Sequence, residues 1–121
     1  MISSYAKLPE SLNETELAPH FDQLIASLPD GQATDKARDL LELVLRQANT
    51  GAELDPDRSR QISDWVVSKW QPADESLTDH LLGSIVNLNL QACLPLLDSA
   101  LADPATPEAS RELIESARRE M

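Results

Sequence analysis

Glycine, cysteine, aromatic residues and positive charge are all scarce in this chain, and each scarcity excludes something. Three glycines in 121 residues leave little material for tight hairpins or for a loop that cradles phosphate, since both use glycine at positive φ. No Gly-rich nucleotide loop, Gly-x-Ser-x-Gly elbow or dinucleotide fingerprint occurs. A single cysteine, Cys93, excludes an intramolecular disulfide and a cysteine-based zinc site, and it makes a reducing compartment the simpler expectation. Aromatics make up 3% of the chain against 41% hydrophobic residues in all. Leu, Ile, Val and Ala must therefore build the core, which favours packed helices over an aromatic-rich sheet. No run approaches the roughly 20 apolar residues of a membrane helix, and Met1–Lys7 shows no basic stretch followed by an apolar one. Ten Lys and Arg stand against 21 Asp and Glu, a net charge of −11. That field repels phosphate backbones and anionic headgroups, so the chain is expected to be cytoplasmic and to bind a basic protein rather than nucleic acid or membrane.

What is present is helical periodicity. Residues 1–12 have none and read as an irregular lead-in, leaving 13–121 as one helical domain. Asn13 with Glu16 is a capping-box pattern, followed by Leu17, Phe21, Leu24, Ile25 and Leu28 at helical spacing, with Pro19 in the first two turns and Pro29-Asp30-Gly31 as the stop. A second helix is expected from Thr34 to about Asn49, with Ala37, Leu40, Leu41, Val44, Leu45 and Ala48 as its apolar stripe. Asp55-Pro56 opens a third, carrying Ile62, Trp65, Val66 and Trp70 and closed by Pro72. Ser76 with Asp79 opens a fourth, in which Leu77, Leu81, Leu82, Ile85 and Leu88 face inward and Asn87 or Asn89 offers a stop. A fifth covers about 90–102, where Pro95 must either bend it near Leu90-Gln91 or mark its true start. Thr106-Pro107 caps a sixth that runs through Leu113, Ile114 and Ala117. The fold expected is all-α, about six helices in three antiparallel pairs, as a right-handed stack or a compact bundle. Leu41, Val44, Trp65, Leu81, Ile85, Leu97 and Leu113 are its expected core.

An internal echo suggests repetition. Ala33-Thr34 with Arg38-Asp39-Leu40-Leu41-Glu42 matches Ala105-Thr106 with Arg111-Glu112-Leu113-Ile114-Glu115, the two arginines standing 73 residues apart. That spacing is two units of about 36, a length typical of helical-pair repeats. Leu94-Pro95-Leu96-Leu97, Leu101, Asp103-Pro104, Arg111-Glu112, Ile114 and Ala117 resemble one HEAT-type repeat, best over residues 94–121, with a weaker version over about 17–48. The resemblance implies a scaffold that binds proteins.

Candidate chemistry is sparse. Asp79-His80 with Asp74 and Glu75 has the donor types of a divalent-cation site, but acids at a helix start stabilise its dipole, and no metal-binding spacing supports them. Neither a metal nor a cofactor is expected. Cys93 becomes a nucleophile only if a helix N-terminus lowers its pKa; beside Leu94 and Pro95 it reads more simply as a buried thiol. A small helper enzyme using His80 with Asp79, or Cys93, is therefore the alternative to a binding module, and a self-associating structural module is another.

Charge distribution is the most informative feature for function. No Lys or Arg lies between Lys7 and Lys36, where six acids fall, or between Lys69 and Arg111, where six more fall. From these blocks the candidate partner-binding residues are Glu10, Glu14 and Glu16 in the first and Asp74, Glu75 and Asp79 in the second. Trp70 joins them as an aromatic anchor at a helix end. The expected function is a non-catalytic, acidic protein-binding module, in one concrete form an immunity protein that neutralises a toxin. Its oligomeric state is left open.

Overall fold

The computed structural model describes residues 4–9 and 11–121. Six α-helices account for most of them: α1 (Glu14–Ser27), α2 (Ala33–Asn49), α3 (Pro56–Lys69), α4 (Glu75–Leu88), α5 (Leu94–Ala102) and α6 (Glu108–Glu120). Short 3₁₀ turns occupy Ser4–Lys7 and Gln91–Cys93, and no strand occurs among the described residues. The fold is an all-α bundle. No helix is long and apolar enough to cross a membrane among the described residues.

Local chemistry sets the helix starts. The Asn13 side chain accepts from the Glu16 N–H at 2.8 Å while the Glu16 carboxylate accepts from the Asn13 N–H at 3.2 Å, so α1 begins with a complete capping box. Asp55 caps α3 by accepting from the Arg58 N–H at 3.1 Å, with Pro56 in the first turn. Helix α4 starts earlier than Ser76 implies: Asp74, in extended backbone, accepts from the Leu77 N–H at 3.1 Å, and Ser76 lies inside the helix. Asn89 ends α4 in the left-handed conformation at φ 53, where the Leu90 N–H reaches back to the Ile85 carbonyl at 2.9 Å. That stop also decides the role of Pro95. The chain breaks before it, so Pro95 sits in the first turn of a short α5 and no kink forms at Leu90-Gln91. Thr106 is not a cap either. Its hydroxyl turns back to donate to the Ala100 carbonyl at 2.7 Å, and the Pro107 carbonyl accepts the first bond of α6, from the Arg111 N–H.

Helix α4 lies between α2 and α6, with α1 against α2, α5 against α6, and α3 touching α1 and the Gln91–Cys93 turn. Leu17, Phe21, Leu24, Leu40, Leu43, Val44, Ile62, Val66, Leu81, Ile85, Leu97 and Ile114 are fully buried between them. The inward stripe of α2 is rotated from the expected one. Leu43 and Gln47 are buried, whereas Leu41 is half-buried and Leu45 and Ala48 are exposed. Leu113 is likewise only half-buried. The reason is where α4 lies: its Gly83 faces Leu41, and a Cβ there would sit 2.8 Å from Leu41 Cδ1. Leu41 therefore rides over α4 at the edge of the interface and does not point into the core.

Buried polar groups tie the loops to this frame. Arg46 is nearly fully buried in α2 and donates to the Leu8 carbonyl at 2.8 Å and to the Glu42 carboxylate at 3.0 Å, so the lead-in is held against α2. Gln47 Nε2 donates to the Ala52 carbonyl at 3.0 Å, Thr78 Oγ1 to the Gln71 carbonyl at 2.9 Å, and Ser110 Oγ to the Pro72 carbonyl. Arg111 holds the α5–α6 turn by donating to the Leu101 and Asp103 carbonyls, both at 2.7 Å. The HEAT-type repeat itself is not shown. Pro95 does open a helix that packs on α6, but that helix is only nine residues long, and α3 and α4 touch little, so no regular stack of helix pairs forms among the described residues.

Arg58 makes the long-range ion pair between α3 and α1. Its Nε and Nη2 donate to the two Asp22 oxygens, each at 2.9 Å, and Nη1 donates to Asp55 at 2.7 Å. Hydrogen bonding to this guanidinium holds both carboxyls below the usual aspartate range.

Two outcomes follow from this packing. Leu81→Ala and Leu97→Ala should each lower unfolding free energy by about 2–5 kcal/mol, whereas Leu45→Ala at an exposed position should stay within about 0.5 kcal/mol of the parent; urea unfolding checks all three. The Asp22 and Asp55 carboxyls are depressed, so their contribution is present above the ordinary aspartate pKa of about 3.9 and disappears as pH falls through the lower folded values. Arg58→Leu should therefore destabilise the chain at neutral pH and converge on the parent in strong acid, measured as unfolding midpoints across pH 2–7.

Candidate functional site

The α2–α4–α6 arrangement leaves one side of α4 facing solvent between two flanking helices. A groove of about 300 Å³ runs along it, lined by Leu41 and Leu45 of α2, by Asp79, Leu82, Gly83, Val86 and Asn87 of α4, and by Leu113, Ser116, Ala117 and Glu120 of α6. A second hollow of about 360 Å³, lined by Glu75, Ser76, Asp79 and Leu113, continues it toward the start of α4. Asp79 and Leu113 belong to both, so the two form one groove. Its middle is aliphatic, with Leu45 44% exposed. Its charged lining residues are Glu75, Asp79 and Glu120, all acidic, with no Lys or Arg among the lining side chains.

The anticipated site residues fall into separate places. Glu75 and Asp79 are exposed and belong to the groove. Asp74 stands beside it, but its carboxylate is occupied in capping α4. Trp70 is half-buried against the core just beyond α3 and does not line the groove. Glu14 lines a different hollow of about 330 Å³, together with Phe21, Asp55 and Arg58. Glu16 is engaged in the capping box, and Glu10 lies outside the described residues. Among the described residues the candidates of the two blocks thus stand on different helices, Glu14 and Glu16 on α1 and Glu75 and Asp79 on α4, and no hollow is lined by both sets.

Two features of the groove escaped the sequence. Glu120 was not singled out, because nothing in the chain order places the end of α6 near Asp79. Leu41 and Leu113 are expected from periodicity to be core, and Leu45 to lie on the inward stripe of α2. A signal for them does exist: Leu40, Leu41, Leu43, Val44 and Leu45 are five apolar residues in six, more than one inward stripe can bury.

The residues with catalytic potential do not converge. Cys93 is fully buried, and burial pushes its thiol pKa up, opposed by a hydrogen bond with Ser63 and reinforced by the Asp64 charge. His20 is half-buried and meets the Tyr5 ring edge-on at a centroid distance of 6.3 Å. His80 is half-buried beside exposed Asp79. Among the described residues, no group of three or more His, Cys, Asp or Glu side chains is placed to hold a metal ion. A further cleft of about 620 Å³ lies between the α2–α3 loop, α3 and the α4–α5 turn. Its Glu53, Arg60 and Asp64 mix both signs of charge with the amides of Asn87, Asn89 and Gln91, and none of the anticipated site residues lines it.

Cys93 should resist an aqueous thiol reagent in the folded chain at pH 8 and react at once in urea, because a buried neutral thiol is a poor nucleophile. Its raised pKa gives stability that is present below the ordinary cysteine value and is lost as pH rises through the folded one. Cys93→Ala should therefore flatten the alkaline fall in stability, read from unfolding midpoints between pH 8 and 11. No family model matches the chain, and neither does any curated protein or solved structure.

Proposed function

We propose that this chain is a non-catalytic protein-binding module whose acidic face takes a basic protein partner. The observation that carries the reading is the groove along α4, aliphatic in its middle and bounded by Glu75, Asp79 and Glu120 with no base among its lining residues. An apolar centre with a charged rim is how protein interfaces divide their labour. The centre supplies burial, and the rim steers encounter and selects partners. Burial of Cys93 and the separation of the two histidines favour binding over catalysis. One concrete form is an immunity protein that neutralises a basic toxin in the cytoplasm, where a lone cysteine stays reduced. A scaffold of the HEAT-like kind, resting on the resemblance of residues 94–121, belongs to the same class.

Charge reversal tests the reading. Glu75→Lys, Asp79→Lys and Glu120→Lys together move the net charge from −11 to −5 and leave the Asp74 cap intact. Association with a basic partner recovered from the native host should slow by about tenfold or more at low salt, with a smaller change in dissociation. Glu14→Lys, Asp30→Lys and Asp57→Lys together make the same change of net charge elsewhere on the chain and should slow it much less. Binding that ignores both triples and does not weaken as salt rises would remove the acidic face from the account.

A further inference from the structure

We infer that the occupant of the α4 groove is an amphipathic, cationic α-helix of the partner protein, lying along α4 between α2 and α6. The inference rests on the reading above and narrows it. The groove walls are helices whose backbone groups already bond within their own helices, so they have no free N–H or C=O row to offer a strand. An extended segment laid over Leu45 and Val86 would leave its own backbone groups facing aliphatic carbon, at a desolvation cost. A helix brings its backbone bonds satisfied and presents only side chains, which is how helix-in-groove recognition works. The length agrees: the 14 residues of α4 span about 21 Å, or roughly four turns, at 1.5 Å per residue. Anchors at i, i+3/i+4 and i+7 would lie over the aliphatic middle.

Charge chooses the helix. Glu75 and Asp79 stand at one end of the groove and Glu120 on the α6 side, so a helix with Lys or Arg flanking its apolar stripe meets acids on the rim. A second copy of this chain is disfavoured on the same ground, since each copy carries −11. Within α6, Arg118 is already paired with Asp98 at 2.9 Å and Arg111 holds the carbonyls of the α5–α6 turn.

The test uses the full chain and two synthetic peptides of 15 residues with identical Leu, Ala and Lys content. In one, Leu recurs at helical spacing with Lys flanking it; in the other the order is scrambled to abolish the stripe. The amphipathic peptide should bind at least tenfold tighter than the scrambled one and gain helicity on binding. Its methyl NMR perturbations on the unaltered chain should centre on Leu45, Val86 and Leu113, and Leu45→Glu should weaken it by tenfold or more. Equal binding of both peptides, lowered by the Glu75/Asp79/Glu120 reversal but untouched by Leu45→Glu, would overturn the helix while leaving the acidic-face reading standing. Perturbations centred elsewhere would do the same. If neither peptide bound at low salt, both readings would be overturned.

Discussion

Helices α4 and α2 make the most extensive contact between any two helices among the described residues. Within it Leu41 packs directly on Gly83, where a Cβ would lie 2.8 Å from Leu41 Cδ1 and would force that side chain to shift. Everything else is arranged around that approach. With α4 seated low against α2, α6 packs on its other side, and Leu81 and Ile85 reach the buried interior. The same closeness lifts Leu41 to the edge of the interface, where it becomes a wall of the groove. Core and groove are thus two sides of one helix contact: Gly83, on which Leu41 packs, also leaves part of the groove floor free of side-chain bulk.

The positive charges of the chain are largely spent on holding this frame. Lys36 donates to Ser27 Oγ, Arg38 pairs with Asp35, and Arg46 reaches Leu8 and Glu42. Arg58 binds Asp22 and Asp55, Arg111 binds two carbonyls, and Arg118 binds Asp98. Most of these bonds cross from one element to another or fasten a turn. Guanidinium groups suit that work, because one planar fork serves several acceptors at once. Exposed pairs of this kind contribute little stability each, but they fix where the positive charge sits. The acids of the α4 groove are left without basic neighbours among its lining residues, so an imbalance visible in composition becomes a local field.

What the sequence disclosed was mainly what is decided locally. Asn13 with Glu16 and Asp55 with Pro56 act over three or four residues, and their outcome needs no knowledge of the rest of the chain. Asp74 was misjudged in favour of Ser76, because both are competent caps and only the path of the chain after Pro72 chooses between them. The facing of α2 was less legible. With Leu at 40, 41, 43 and 45 and Val at 44, several rotations of the helix bury an apolar stripe, and the choice falls to the packing of α2 against α4 and α1, which lie elsewhere in the chain. Arg46 and Gln47 are buried because the Leu8 and Ala52 carbonyls come to them, partners that periodicity does not reveal. For the site the division is the same. Glu75 and Asp79 were visible as part of an acidic block, whereas Glu120 and the aliphatic middle appear only when α2, α4 and α6 stand side by side.

A groove that exposes leucine invites self-association, which a module with the proposed function would have to resist. On that proposal the acids on the rim would both repel a second copy and attract the partner through a single interaction. Toward another copy they face like charge, and bringing two such rims together would force Glu75, Asp79 and Glu120 against acids across a narrowing, poorly hydrated gap, where screening by salt is weakest. Toward a cationic helix the same geometry turns attractive, and apolar contact in the middle follows only after the rim charges have paired. Under the proposed function selectivity would come as much from the partner that is repelled as from the one that is drawn in. Replacing the rim acids with neutral residues would relax both at once, since attraction to the one and repulsion of the other are the same field met by opposite charges.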